Sequence, residues 1–245
     1  MTHGIFGAGS NWRGIARKLV DRRREWGVVL VDLRLHGRSE AGEPPHTVAA
    51  CADDLAALIT ELGDVRALAG HSFGGKTALA TRDRVQLDQT WVLDASPGAR
   101  PDAIADPDNS VVRVLDMMAR MPPTFPTRDA FVAAAVAEGH TTALAQWLAM
   151  NLVPQGDAMV NRLDVAALRS LLVDYYQLDL WDSVVAPRGE LDFVIATRGS
   201  SVSAADRERL TTAPAHVHSH EIEAGHWLHI DAPVAVVELF AARLP

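Results

Sequence analysis

The chain has 245 residues, 48% hydrophobic and 22% charged, with a net charge of −8. That balance supports one sizeable α/β domain, argues against disorder and disfavours a nucleic-acid surface. A single cysteine, Cys51, excludes an internal disulfide and fits a reducing cytoplasm; no apolar run reaches the roughly 18 residues of a membrane span, and the start lacks an export signal.

Arg22, Arg23 and Arg24 are followed at once by Glu25 and read as a solvated helix end. Residues 27–33 (GVVLVDL) form a continuous apolar run, the pattern of a strand covered on both faces. Residues 47–62 repeat near 3.6, with Val48, Leu55, Leu58, Ile59 and Leu62 on one side and Asp53 and Asp54 in solvent. A short strand over 65–69 then runs into Gly70-His71-Ser72-Phe73-Gly74, and a helix-forming run starts at Gly75. Strand, sharp turn, helix is the setting of a nucleophile elbow, in which small residues let the two backbones pass closely. Residues 89–94 (QTWVLD) form the next strand, so the rhythm is that of a doubly wound, mostly parallel sheet.

From 98 to 187 the rhythm breaks into helices over 109–121, 127–152 and 164–183, punctuated by Pro122, Pro123 and Pro126, with a turn at Pro154 and Gly156. This segment reads as a helical lid inserted between two parts of one core, residues 1–97 and 188–245. Strands return at 191–197 and 216–222, and a last helix covers 233–243.

A serine needs an adjacent base to act as a nucleophile. His226, just after the last strand, is the expected base for Ser72, and His229 is its nearest rival. The acid must lie between Ser72 and His226 if the chain order is serine, acid, histidine. The loop at 198–203 holds no carboxylate, Asp206 and Glu208 read as first-turn helix residues, and Asp192 is at the wrong end of its strand. Asp94 ends the strand that follows the elbow helix, where strand carboxyl ends face an active site. Ile5 and Phe73 are the expected backbone N–H donors of an oxyanion hole.

Several segments together carry a narrower signal: His3-Gly4-Ile5-Phe6-Gly7 through Asn11-Trp12, Asp32 through Ser39 (DLRLHGRS), the elbow through Lys76-Thr77, Leu93 through Pro97, and Gly225-His226-Trp227. Taken in order, they resemble the YbfF-type esterases of the α/β-hydrolase superfamily. The resemblance implies an α/β-hydrolase fold, cofactor-free hydrolysis of small-molecule acyl esters or thioesters, and an acid at the Asp94 position. It also implies strands ahead of the His3-Gly4 segment, for which this sequence has no residues, so an extended N-terminus is expected of the functional protein. Perhydrolysis or C–C bond hydrolysis on the same triad, or a catalytically weak ligand-sensing fold, are the alternatives.

Other polar residues read as structural. Asp32, Arg34 and His36 form a turn that holds the oxyanion loop. His216, His218 and His220 share one strand face without a second ligand set, so no metal is expected. Trp147, Trp181, Tyr175 and Tyr176 read as lid packing, Met117, Met118 and Met121 as adaptable packing, and Lys76 as a surface or salt-bridge residue.

Overall fold

A computed structural model describes all residues, 1–245. The elements run α1 (Arg13–Arg22), α2 (Val48–Leu62), β1 (Ala67–His71), α3 (Phe73–Thr81), β2 (Gln89–Leu93), α4 (Ser110–Arg120), β3 (Thr124–Phe125), α5 (Arg128–Ala137) and α6 (Thr142–Leu148). They continue with β4 (Leu152–Gln155), β5 (Ala158–Asn161), α7 (Val165–Gln177), α8 (Trp181–Val185), β6 (Glu190–Ala196), α9 (Ala204–Leu210), β7 (Val217–Ile222), α10 (Leu228–Asp231) and α11 (Pro233–Arg243).

The main sheet has the order β1-β2-β6-β7, with every pair parallel. β2 and β6 are buried on both faces because helices cover both, whereas the edge strand β7 (VHSHEI) is mostly polar. Trp91, Leu93, Val194 and Ala196 point to the side packed by α1 and α11, where Phe240 meets Trp91 edge to face at 4.7 Å between ring centroids. Val92, Leu191, Phe193 and Ile195 point to the opposite side, with Leu79, Trp181, Val184 and Leu210. This alternation is the two-residue period of a strand.

The apolar run over 27–33 does not form the expected strand. It lies extended beside Met1, whose ammonium donates to the Val29 carbonyl at 2.7 Å and whose carbonyl accepts from the Val31 N–H at 3.0 Å. Thr2 in turn bridges Gly70 of β1. With so few residues opposite it, the run has no ladder to join, and an apolar cavity of about 650 Å³ lies between it and β1.

Between β2 and β6 the chain leaves the sheet. The single helix expected over 127–152 is instead α5 and α6, separated around Gly139 at φ +91° and restarted by the Thr141 side chain, which accepts from the Leu144 N–H. Residues 152–161 form a hairpin, β4 and β5, turning at Gly156 (φ +60°) and pairing with β3 in a small antiparallel sheet. The helix expected over 164–183 also divides, into α7 and α8. α7 begins at Asp164, whose carboxylate accepts from the N–H groups of Ala166 and Ala167. No helix is long and apolar enough to cross a membrane.

Candidate active site

The turn from β1 to α3 forces its glycines. A Cβ on Gly70 would stand 2.0 Å from the Gly74 carbonyl oxygen, and one on Gly74 would stand 2.5 Å from the His3 oxygen. Only bare backbone fits where strand, helix and the N-terminal segment cross. Ser72 sits at the apex with φ +54°, in the left-handed region that a residue with a Cβ enters at a cost. Its N–H donates to the Leu93 carbonyl at 2.8 Å, which ties the apex to the end of β2.

Asp94 follows at the next position of that strand end and also has positive φ, +47°. The structure brings Ser72, His226 and Asp94 into one hydrogen-bonded chain. His226 Nδ1 is 2.7 Å from Asp94 Oδ2, and His226 Nε2 is 3.1 Å from Ser72 Oγ. Asp94 is fully buried and accepts further from the N–H groups of Ala196 and Ser201 and from the Ser200 hydroxyl. Burial pushes the Asp94 carboxyl up, but the hydrogen bond and charge of His226, with Ser200 and Ser201, outweigh it and hold the carboxyl below its ordinary value. The loop at 198–203 thus holds no carboxylate; it supplies donors that favour the ionised form of Asp94.

Ile5 lies beside this chain. Its backbone N–H meets no protein acceptor, and Phe73 is the first residue of α3, where helical N–H groups point outward unpaired. Two of the three residues expected to brace the loop carrying Ile5 do so, while the Arg34 side chain turns to Asp54 and the Glu43 carbonyl. Asp32 accepts from the Gly9 and Arg38 N–H groups, and the His36 ring bonds the Ile5 carbonyl. His3, buried with its pKa lowered to about 3 by desolvation and His36, donates from Nδ1 to the Gly4 carbonyl and accepts the Leu33 N–H at Nε2.

Two further histidines lie near His226: His71 packs against its ring, and His229 packs against His71 and Trp12. His71 is buried, 4.7 Å from the His226 ring, and its Nε2 lies 2.7 Å from the His226 carbonyl. Burial first, then the charge of His226, holds its pKa well below normal. His229, the rival base, has neither ring nitrogen bonded; burial and His226 lower its pKa to about 4. It packs on Trp12 and does not reach Ser72 by any hydrogen bond.

Lys76 departs from expectation. It is 1% exposed, and its ammonium donates to the carbonyls of Gly98 and Tyr175 at 3.0 and 2.9 Å, with the Tyr175 ring beneath it. It joins the elbow helix to α7 without a carboxylate partner, and desolvation lowers its pKa to about 8. The unfolded chain then binds the extra proton between pH 8 and 10.5, so this group makes the fold more stable as pH rises through that window. Urea unfolding at both ends of the window should show that gain, and Lys76→Met should lack it; equal pH slopes in both proteins would contradict this account.

The three strand histidines find separate partners: the Val184 carbonyl for His216, Glu190 for His218 and the buried Asp192 for His220. Asp53 and Asp54 are exposed but pair with Arg84 and Arg34. Asp206 accepts from the Trp181 indole and from Ser203, away from His226.

Two cavities meet at Ser72 and His226. One, of about 530 Å³, is walled by Phe6, Val114, Leu144, Trp147 and Trp227; the other, of about 250 Å³, by Phe73, Leu172, Tyr175, Tyr176 and Arg100. A nucleophile, a base and buried N–H donors between two such cavities can carry out acyl transfer.

The fold and the elbow place the chain in a family: a family model described as "Alpha/beta hydrolase family" matches residues 1–239, and the chain belongs to that family. It is 29% identical over 250 residues to the Escherichia coli K12 protein "Esterase YbfF", covering 97% of this chain and 89% of that one. It is 28% identical over 240 residues to mouse "sn-1-specific diacylglycerol lipase ABHD11", covering 94% and 75%. Among solved structures, "Marine microorganism esterase" superposes with a TM-score of 0.83 at 21% identity over 98% of this chain and 92% of that one. The family and these relatives make the protein a hydrolase.

Proposed function

We propose that the protein hydrolyses carboxylic esters or thioesters of small molecules through Ser72, His226 and Asp94, without a cofactor. The observation that carries this is the continuous chain Asp94–His226–Ser72, at 2.7 and 3.1 Å. Ser72 Oγ attacks the carbonyl carbon while His226 Nε2 takes its proton. Asp94 holds Nδ1–H and so fixes the tautomer and offsets the charge of the imidazolium. The Ile5 and Phe73 N–H groups receive the oxyanion, each contributing roughly 3 kcal/mol to the transition state. Return of the proton expels the alcohol or thiol, and water repeats the sequence on the acyl-enzyme. Segment 98–187 acts as the lid, with Leu144, Trp147, Tyr175 and Tyr176 lining the two cavities. Because Cys51 is a lone, buried thiol, we assign the protein to the cytoplasm.

The test is labelling with a fluorophosphonate probe, alongside turnover of a p-nitrophenyl ester series of increasing acyl length. Label on Ser72 and measurable turnover support the reading. An unlabelled Ser72 in folded protein would overturn it.

A further inference from the structure

A third, polar cavity of about 480 Å³ adjoins the larger of the two at Ser72. The two share Phe6, Asn11 and Trp147 as common wall, so the polar cavity flanks the one at Ser72. Three arginines, Arg13, Arg38 and Arg162, converge on this polar cavity. Arg13 and Arg38 make no side-chain hydrogen bond or ion pair within the protein, whereas Arg162 gives a hydrogen bond to the Gly37 carbonyl at 2.7 Å and meets no carboxylate. Other arginines do find carboxylates, as with Arg34 and Asp54, Arg84 and Asp53, or Arg169 and Asp116, although Arg17, Arg24 and Arg113 are unpaired too.

Only one carboxylate lines the cavity, that of Asp32, and both its oxygens already accept backbone N–H groups, from Gly9 and Arg38. Three guanidiniums against one carboxylate leave a local balance of two positive charges, in a protein whose net charge is −8. All three guanidiniums are solvent-exposed, and together they make this side of the reaction centre locally positive on a protein that is negative overall. A carboxylate, with one negative charge, would balance half of that surplus. A phosphate monoester carries about −1.5 to −2 at neutral pH, and its oxygens suit the forked donors of arginine.

We propose that the substrate is an acyl ester or thioester of a phosphorylated alcohol or thiol, whose phosphate is held by Arg13, Arg38 and Arg162. This deepens the esterase reading and rests on it. The acyl group occupies the 250 Å³ cavity lined by Phe73, Leu172 and Tyr175, whose size suits a short chain. The leaving group crosses the 530 Å³ cavity past Asn11 and Trp147 to the arginines. Water adds across the ester bond, the acyl carbon leaves as a carboxylate, and the phosphorylated alcohol or thiol departs with the proton returned by His226. The phosphate itself stays intact.

Two matched pairs of substrates test this. Butyryl-coenzyme A is compared with butyryl-N-acetylcysteamine, and butyryl glycerol 3-phosphate with butyryl glycerol. In each pair the reacting bond is the same and only one member bears phosphate. The wild-type protein should favour the phosphorylated member of at least one pair by about tenfold in kcat/KM at low salt, and less at high salt, where surface charges are screened. The pair that shows the preference tells a phosphorylated thiol from a phosphorylated alcohol. In Arg13→Gln/Arg38→Gln the ratio within that pair should fall to within about twofold of unity. A wild-type ratio near unity in both pairs, or a preference that survives the double substitution, would overturn the proposal while leaving the esterase reading in place. If no ester is turned over and Ser72 is not labelled, the esterase reading fails. The anion site is then judged by calorimetric binding of inorganic pyrophosphate to the wild-type and double-variant proteins. Binding about tenfold weaker in the variant supports the site, and no binding to wild type refutes it.

Discussion

Ser72→Ala should lower kcat for a p-nitrophenyl ester by a factor on the order of 10⁶, leaving little more than the effect of binding and oxyanion donors. The substitution removes one oxygen that bonds only His226, so the backbone bonds of the elbow, including the Ser72 N–H to the Leu93 carbonyl, remain. Because the serine and histidine act as one unit, adding His226→Ala should cost almost nothing further. Circular dichroism and the melting temperature establish that the variant is folded. A loss of less than tenfold in a folded protein would remove Ser72 from the reaction, and a further large loss in the double variant would mean that His226 works with another group.

Asp94→Asn should lower kcat by about 10⁴ with a smaller effect on KM. Asparagine tolerates the positive φ at this position, so the backbone can stay. What changes is the group facing His226. An amide in that orientation favours the wrong imidazole tautomer and cannot offset the imidazolium charge. One of the buried donors now meeting the carboxylate, Ala196 N–H or Ser201 N–H, would also face an NH₂ group, at a stability cost of about 1–3 kcal/mol. Asp206→Asn is the matched comparison, since Asp206 is equally buried but bonds Trp181 and Ser203. It should alter stability and leave kcat within a few-fold. A large kcat loss in Asp206→Asn alone would move the acid to that residue.

How much of this was legible in the sequence follows from what sequence patterns encode. The elbow was readable because close backbone approach admits nothing but glycine at 70 and 74, and composition records that directly. Asp94 was readable because the carboxyl ends of parallel strands gather at one edge. The run at 27–33 misled because periodicity reports how a segment would pack and says nothing of the partner it needs. The helix drawn through 127–152 overran because alanine-rich runs on both sides carry it across Glu138 to Thr142, where Gly139 breaks one helix and Thr141 caps the next. Lys76 was misjudged because one turn along a helix gives a face but not what covers it. The covering carbonyl belongs to Tyr175, 99 residues later. Ser200 and Ser201 carry no charge to mark them in the sequence; what they offer is hydrogen-bond donors to a charge held elsewhere.

Asp94, the acid we propose, is carried by the sheet itself. Asp94 N–H donates to the Val194 carbonyl of β6 at 2.8 Å, just as Ser72 N–H donates to the Leu93 carbonyl of β2. Ser72 and Asp94 thus sit at matching positions on two neighbouring ladders, β1–β2 and β2–β6, spaced by strand separation, and the turn after β6 only steadies the carboxylate. A division of labour follows. The residues around Gly199 can be lengthened or exchanged to reshape the mouth of the cavities without displacing a reacting group, provided two donors still reach Asp94. In a protein whose acid hung from that turn, any such change would move the chemistry as well. Here remodelling of substrate preference and preservation of the reaction are separable, which makes this turn the first place to graft variation.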